Sequence, residues 1–367
     1  MHFTIQREVL LKPLQLVAGI VERRQALQVI SNVLLVIKDQ QLYLTGTDLE
    51  VELVGRVQLT SPAESGEITV PARKLMDICK SLHNDTLINI KLDQQKLLVR
   101  AGRSRFTLST LPANNFPTVE DSPGSLYCSI MQSKFRCLIE RTSFAMAQQD
   151  VRYYLNGMLL EVSDGIIRAV ATDGHRLAMC SMKVDVGQPD CYQAIVPRKG
   201  ILELLRLLTD PDSNINIALN QHHIRAIAGE FTFTSKLING KFPDYKCVLP
   251  KNGDKLVIGN RQALREAFSR TAILSNEKHR GILLQISNSQ LKIEAKNPEQ
   301  EEAEEEVGVE YNGDSLEIGF NVSYLLDVLS VITTKQVCMV FSDSNSSALI
   351  QEPNNNDSSY VVMPMRL

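Results

Sequence analysis

The chain has 367 residues, 44% of them hydrophobic, and 39 Lys and Arg against 42 Asp and Glu give a formal net charge of −3. That is enough apolar material for two or three cores, and it excludes disordered, collagen-like and fibrous classes. The near-neutral balance argues against gripping nucleic acid by bulk positive charge, while leaving room for a locally basic face.

MHFTIQREVLL opens the chain without a cationic stretch leading into an apolar core. No apolar run approaches the roughly 20 residues of a membrane span, so a cytoplasmic location is expected. The first predicted helix places Leu10, Leu11, Leu14, Val17, Ala18 and Val21 at helical spacing, with Pro13 expected to start or kink it. Strand character follows at VLLVI 33–37, LYLTG 42–46, VELVGRVQL 51–59 and, after the helical VPARKLMDI from Val70, LLVRA 97–101. Phe135, Leu138, Ile139, Thr142, Ala145 and Met146 define a third helix with Ser133 as its expected N-cap, and VPRKGILEL from Val196 a fourth. Leu264, Ala267, Phe268, Thr271 and Leu274, capped by Asn260, give a fifth, and FNVSYLLDVL from Phe320 a sixth.

These elements repeat. Val70 and Val196 open matching strings 126 residues apart, Phe116-Pro117 returns as Phe242-Pro243, and Asp48 of TGTDLE matches Asp173 of VATDGH. The expected fold is therefore α+β, with three similar domains in tandem over 1–125, 126–252 and 253–367. Each reads as helix, about four strands, helix, about four strands, so that two helices pack on antiparallel sheets. Linkers are expected near 122–127 and 249–256.

Cations recur on the helix faces opposite or beside the apolar stripes: Lys12, then Lys134, Arg136 and Arg141, then Arg265 and Arg270, with Lys74, Lys80, Lys199 and Arg206 on or beside the second helices. Any one such face is ordinarily a solvated surface, but repetition favours a common basic lining. The acids are concentrated instead: Glu299, Glu301, Glu302, Glu304, Glu305 and Glu306 form a block that interrupts a strand pattern in the last repeat, where such a run is usually a solvated loop. RAGRSRFTL 100–108 of the first repeat is basic and alternating. A basic edge and an acidic edge at opposite ends of the chain can pair head to tail, and two copies close a ring. Six domains presenting two helices each, at about 10 Å per helix, give a circumference of roughly 120 Å and a hole of roughly 28 Å, enough for a hydrated duplex. Topological linkage then replaces affinity, and weak phosphate contacts permit sliding.

LTGTDLE 44–50, VPARK 70–74, QDVRYYLNGM 149–158, ATDGHRLA 171–178, FPDY 242–245, AILSNEK 272–278, NPEQEEAEE 297–305 and YVVMPMRL 360–367 together carry a family pattern. With them the whole chain resembles the bacterial DNA polymerase III β subunit family, the β sliding clamps. The resemblance implies a head-to-tail homodimeric ring on duplex DNA without sequence specificity, a DNA polymerase III holoenzyme component that confers processivity in DNA replication. It also implies partners that dock through linear peptides of Gln-Leu-x-Leu-Phe character: the replicative polymerase catalytic subunit, the clamp loader and other DNA polymerases or repair proteins. No catalytic residue, cofactor or metal is expected, and the G-x-x-x-x-G-K-[ST] loop that would cradle ATP phosphates is missing from the sequence.

By position, the resemblance implies DNA contacts from Arg24, Gln149, Arg152, Tyr153 and Tyr154, although core packing is an equal expectation for one of the two tyrosines. It implies a partner-peptide pocket of Leu155, Thr172, Gly174, His175, Arg176, Leu177, Pro243, Val248, Asn321, Tyr324, Ser347, Val361, Met363, Pro364, Met365 and Arg366. Cys247, where an arginine often lies, and Asn345, where an apolar residue is common, depart from the pattern. At the dimer seam it sets Lys74, Arg103, Arg105, Phe106 and Leu108 against Ile273, Leu274, Glu299, Glu302 and Glu305.

Two other readings compete. Asp48, Asp173 and His175 have the residue types of a metal-dependent nuclease, but the register equivalence of the two aspartates is what a structural turn would produce. His222, His223 and His279 have no ligand spacing and read as surface residues. The other alternative is a triplicated scaffold that binds only proteins.

Overall fold

The computed structural model describes residues 1–21, 27–119, 123–185, 191–250 and 253–366. Among the described residues there are six α-helices: α1 (Arg7–Ile20), α2 (Ala72–Ser81), α3 (Gln132–Glu140), α4 (Arg198–Leu207), α5 (Arg261–Thr271) and α6 (Val322–Val331). None of the described helices is long and apolar enough to cross a membrane.

Contacts divide the chain into two compact units. The first takes in Met1–Phe135 and Lys199–Leu237, the second Arg136–Val184, 191–198 and Ile238–Leu367. The first unit holds a four-stranded sheet in the order His2–Gln6, Leu87–Asp93, Lys96–Ala101, Ser104–Ser109. It also holds an eight-stranded sheet ordered Gly66–Pro71, Asn32–Lys38, Gln41–Thr47, Val51–Gln58, Phe231–Lys236, His223–Ala228, Asn214–Leu219, Leu126–Met131. The second unit holds one twelve-stranded sheet: Tyr192–Pro197, Gly157–Ser163, Ile166–Thr172, Arg176–Lys183, Asn355–Val362, Ala348–Glu352, Gln336–Phe341, Lys255–Asn260, Glu302–Glu310, Gln290–Lys296, Gly281–Ser287, Leu316–Asn321. Neighbours are antiparallel throughout, for example where Leu177 faces Val361 and Glu52 faces Thr234.

The repeats are therefore stitched by main-chain pairing. Val51–Gln58 of the first repeat continues into Phe231–Lys236 of the second, and Arg176–Lys183 of the second into Asn355–Val362 of the third. Each repeat also opens on a strand ahead of its first helix, followed by four strands, a helix and three more, where the sequence suggests four and four. The missed opening strand of the second repeat, Leu126–Met131, alternates buried and exposed residues along its six positions, the period-2 pattern of a half-buried strand.

The helical stripes pack inward as their spacing predicts: Leu10, Leu14, Val17 and Ala18 are buried in α1, Leu264, Ala267, Phe268 and Thr271 in α5. Asn260 caps α5 by accepting from the Ala263 N–H at 3.0 Å. Ser133, by contrast, is the second residue of α3 and not its N-cap, because the helix already begins at Gln132. Pro13 does not start α1 but lies buried inside it, a position whose lost backbone bond burial must offset.

The acidic block is loop only at Glu299 and Glu301. Glu302–Glu310 is a strand whose residues 302–308 pair with Gln290–Lys296. Lys292 and Lys296 on that neighbour neutralise it through ion pairs to Glu304 at 3.0 Å and Glu302 at 3.0 Å. Alternation explains how the charge is tolerated, since the exposed face carries Glu302, Glu304 and Glu306 while Val307 and Val309 turn inward.

Candidate functional site

In the second unit an apolar cavity of ≈ 170 Å³ is lined by Arg152, Tyr154, Leu155, Thr172, Gly174, Arg176, Leu177, Pro243, Tyr245, Val248, Val361 and Met363. Nine of these are expected pocket residues. Its floor is set by strand pairing: Thr172 faces Leu177, which in turn faces Val361, so one rung presents one apolar side after another. Leu177 and Val361 belong to a buried cluster with Leu159, Val170, Ile195, Phe242 and Tyr245, against which Tyr154, Val248 and Leu349 pack.

One wall is a tight turn. The Asp173 carboxylate accepts from the backbone N–H groups of His175 and Arg176 at 2.9 and 3.1 Å, while the Thr172 hydroxyl donates to the Arg176 carbonyl at 2.6 Å. Gly174 sits there at φ +89, and a Cβ would lie 2.9 Å from the Arg152 guanidinium. Glycine meets both the left-handed backbone and the close approach. Asp48 builds the same turn in the first repeat, accepting from Glu50 and Val51 at 2.9 and 2.7 Å and pairing with Lys199. Both aspartates serve their own backbone, as the turn reading predicts, and among the described residues no cluster of three or more His, Cys, Asp or Glu is arranged to hold a metal.

Arg176 fixes the turn against α6. It donates to Asp173 at 3.0 Å, to Asp327 at 2.5 Å and to the Phe144 carbonyl at 2.8 Å, and its guanidinium lies 4.5 Å from the Tyr324 ring centroid and 5.3 Å from that of Phe144. Tyr324 thus reaches the site through Arg176 and not as cavity lining. Beneath the floor, the Tyr245 hydroxyl donates to Glu161 at 2.8 Å, and Gln193 and Arg168 donate to the same carboxylate at 2.6 and 3.2 Å. Burial pushes the Glu161 carboxyl up, but the hydrogen bonds from Gln193 and Tyr245 outweigh it and hold the group below the ordinary glutamate value. Burial and the bond to Glu161 push the Tyr245 hydroxyl up, which keeps it a donor. Neither Glu161 nor Tyr245 was expected at the site. Tyr245 had a signal in FPDY 242–245, whereas Glu161 had none beyond its place in an apolar strand.

Other expected pocket residues lie around the cavity and not in it. The Asn321 side chain caps α6, accepting from Ser323 at 2.9 Å. His175 is exposed and meets the C-terminal segment through its carbonyl, which accepts from the Met363 N–H at 2.9 Å. Met365 donates its backbone N–H to Gly319 at 2.9 Å. Ser347, Pro364 and Arg366 do not line the cavity. Cys247 and Asn345 are exposed; the Cys247 thiol lies 3.2 Å from the Asp244 carboxylate, and the Asn345 N–H donates to Asp343 at 2.8 Å.

The segment expected to touch DNA is divided. Gln149 is exposed at φ +56, and Tyr153 is also exposed. Arg152 is exposed as well but, like the half-buried Tyr154, lines the cavity, and it is held by Asp150 at 2.9 and 3.0 Å. That pairing drops the Asp150 carboxyl to about 2, its main cause being the hydrogen bond from Arg152. Tyr154 is half-buried and packs against the apolar cluster. Arg24 lies outside the described residues. Of the helix-face cations, Arg141 turns inward to bond Glu352 at 3.1 Å and Ser358 at 2.9 Å, whereas Lys12, Lys74, Lys80, Lys134 and Arg265 are exposed.

Of the residues expected at a seam, Lys74, Arg103, Arg105 and Glu299 are exposed and Phe106 is half-buried. Ser104–Ser109 is the outer strand of its sheet. Ile273 is 75% exposed, far outside the norm for isoleucine, and Leu274 is half-buried. Leu108 is only 7% exposed and belongs to its own core. Glu305 is bonded to Arg270 at 2.6 Å, so it enters any seam already paired within the chain.

Comparison with known proteins fits this geometry. Family models for the DNA polymerase III beta subunit match in chain order: its N-terminal domain over residues 1–120, its central domain over 129–244 and its C-terminal domain over 246–366. The beta sliding clamp of Pseudomonas putida is 77% identical and that of Escherichia coli K12 52% identical, each over 100% of both chains. The crystal structure of the DNA polymerase III subunit beta from Pseudomonas aeruginosa superposes with a TM-score of 0.98 at 75% identity, also over 100% of both chains. Coverage and identity at this level extend to every element described above, and the chain belongs to the DNA polymerase III beta subunit family, the beta sliding clamps.

Proposed function

We propose that the chain works as a homodimeric ring around duplex DNA, tethering the replicative polymerase and other DNA-processing proteins for processive synthesis without chemistry of its own. The clamp loader engages it through the same kind of linear peptide, and the protein acts in the cytoplasm. Three domains, 1–125, 126–252 and 253–367, supply the ring's arc.

The observation that carries this reading is the apolar cavity built on Leu177 and Val361 beside the exposed Met363. A concave apolar site with a few polar handles suits a peptide anchor, and methionine adapts to varied occupants. In this reading His175, Asn321, Tyr324, Ser347, Pro364, Met365 and Arg366 form its rim and meet the peptide beyond the anchor. The exposed Gln149 and Tyr153, with Arg24, Arg152 and Tyr154 in support, contact the duplex through phosphate and stacking interactions. Lys74, Arg103, Arg105 and Phe106, with Leu108 buried behind them, meet Ile273, Leu274, Glu299, Glu302 and Glu305 across the seam, where apolar burial supplies stability and charge selects register.

The test is a labelled Gln-Leu-x-Leu-Phe peptide titrated into the protein. One peptide per chain is expected, lost on Leu177→Asp; binding that survives this change contradicts the assignment. On the DNA side, Arg24→Ala with Gln149→Ala is expected to weaken loading and retention on circular DNA, and unchanged retention contradicts that assignment.

A further inference from the structure

The cavity just described has a counterpart in the first unit, at the position the internal repeat dictates. In the second unit one rung runs Thr172, Leu177, Val361, Leu349, each facing the next across antiparallel strands. In the first unit the equivalent rung runs Thr47, Glu52, Thr234, Arg225. Asp48 and Asp173 build the same turn at the head of both rungs, so the register is fixed by hydrogen bonds as well as by sequence. Beside the first rung lies a cavity of ≈ 330 Å³ whose lining includes Glu52, Arg56, His223, Arg225, Thr232 and Thr234. The two sites share backbone and differ in chemistry: three apolar side chains in one are replaced by a carboxylate, a hydroxyl and a guanidinium in the other.

Resting on the peptide-pocket reading, we infer that Glu52, Thr234 and Arg225 are specificity-determining residues: they re-line the register-equivalent cavity so that it refuses the apolar peptide anchor, leaving one docking site per chain. An apolar side chain entering there would take the remaining water from a carboxylate and a guanidinium and give no hydrogen bond in return, which is unfavourable whatever partners they keep within the chain. Glu52 is already poorly solvated, being 7% exposed, with the Val119 N–H donating to it at 3.0 Å and burial pushing its carboxyl up. Arg56 donates to Thr232 at 2.9 Å, so the wall keeps its own polar order. Discrimination of this kind works by placing an unfavourable group against the wrong ligand.

The experiment exchanges the rungs. Leu177→Glu transplants the first unit's chemistry into the second; Glu52→Leu, Thr234→Val and Arg225→Leu together do the reverse. A labelled Gln-Leu-x-Leu-Phe peptide is titrated into full-length protein and its stoichiometry measured. Expected are one peptide per chain for the parent, a loss of roughly tenfold or more in affinity for Leu177→Glu, and binding regained at one per chain when the three reverse changes are added to it; tenfold is about the gain from burying one well-packed apolar side chain. Should the triple change fail to fold by thermal melting, Glu52→Leu with Thr234→Val is read in its place and is expected to regain part of the binding. A folded re-lined protein with no regained binding overturns the inference, whereas Leu177→Glu alone still binding one peptide per chain at parental affinity contradicts the pocket reading. A parent protein that binds no peptide is a different failure, that of the pocket reading itself.

Discussion

Replacing Tyr245 by phenylalanine removes one oxygen from beneath the cavity and leaves its apolar lining intact. The lost bond is the 2.8 Å donation to Glu161, a carboxylate only 2% exposed that keeps Gln193 and Arg168 as donors. A hydrogen bond to a charged group contributes about 1.5–3 kcal/mol, and with two donors remaining the low end, about 1.5 kcal/mol, is expected at neutral pH. The pH dependence follows from the carboxyl lying below its ordinary value, with burial opposing and the bonds from Gln193 and Tyr245 prevailing. A depressed folded-state pKa contributes stability above the unfolded pKa and loses it as pH falls through the folded one. The difference between parent and variant should therefore be widest near pH 7 and narrow toward pH 4. Urea unfolding at both pH values, compared by midpoint and slope, measures it. An equal difference at the two pH values, or none at pH 7, would show that the ionised Glu161 carboxylate gains no stability from this bond.

Deleting Met363 to Leu367 removes the chain that runs from the cavity past Gly319, and should abolish polymerase-peptide binding while leaving the dimer intact; a binding titration with sedimentation alongside decides this. Ile273→Ala with Leu274→Ala should give monomers, because the apolar seam outweighs exposed ion pairs of about 0 to 1 kcal/mol each; an unchanged mass contradicts that ranking. Asp173→Ala should cost about 1 kcal/mol through the lost turn bonds and loosen Arg176, lowering peptide affinity; Asp173→Asn, which keeps an acceptor for the turn, should cost less.

The triplication was legible because three anchors recur 125 or 126 residues apart and because apolar stripes at helical period need only local sequence to be seen. Strand sharing was not. That Val51–Gln58 pairs with Phe231–Lys236, some 180 residues on, depends on which edges meet, and neither strand's own pattern records its partner. The acidic block misleads for a related reason: its glutamates read as loop until Lys292 and Lys296 are brought alongside. At the cavity the apolar lining followed the family pattern, whereas the polar support below and beside it, Tyr245 on Glu161 and Arg176 on Asp327, joins residues 84 and 151 apart. Arg152 carries a contact that no local pattern announces, since its guanidinium is held by Asp150 at the cavity wall while the residue stays exposed.

The most direct test of the clamp reading is to load the protein onto a singly nicked plasmid, cut the circle at one site, and follow how long the protein stays. A protein that holds the duplex by encirclement remains on the intact circle and leaves promptly once ends exist. Equal residence before and after cutting would mean that it grips DNA by surface affinity, and the account would be wrong.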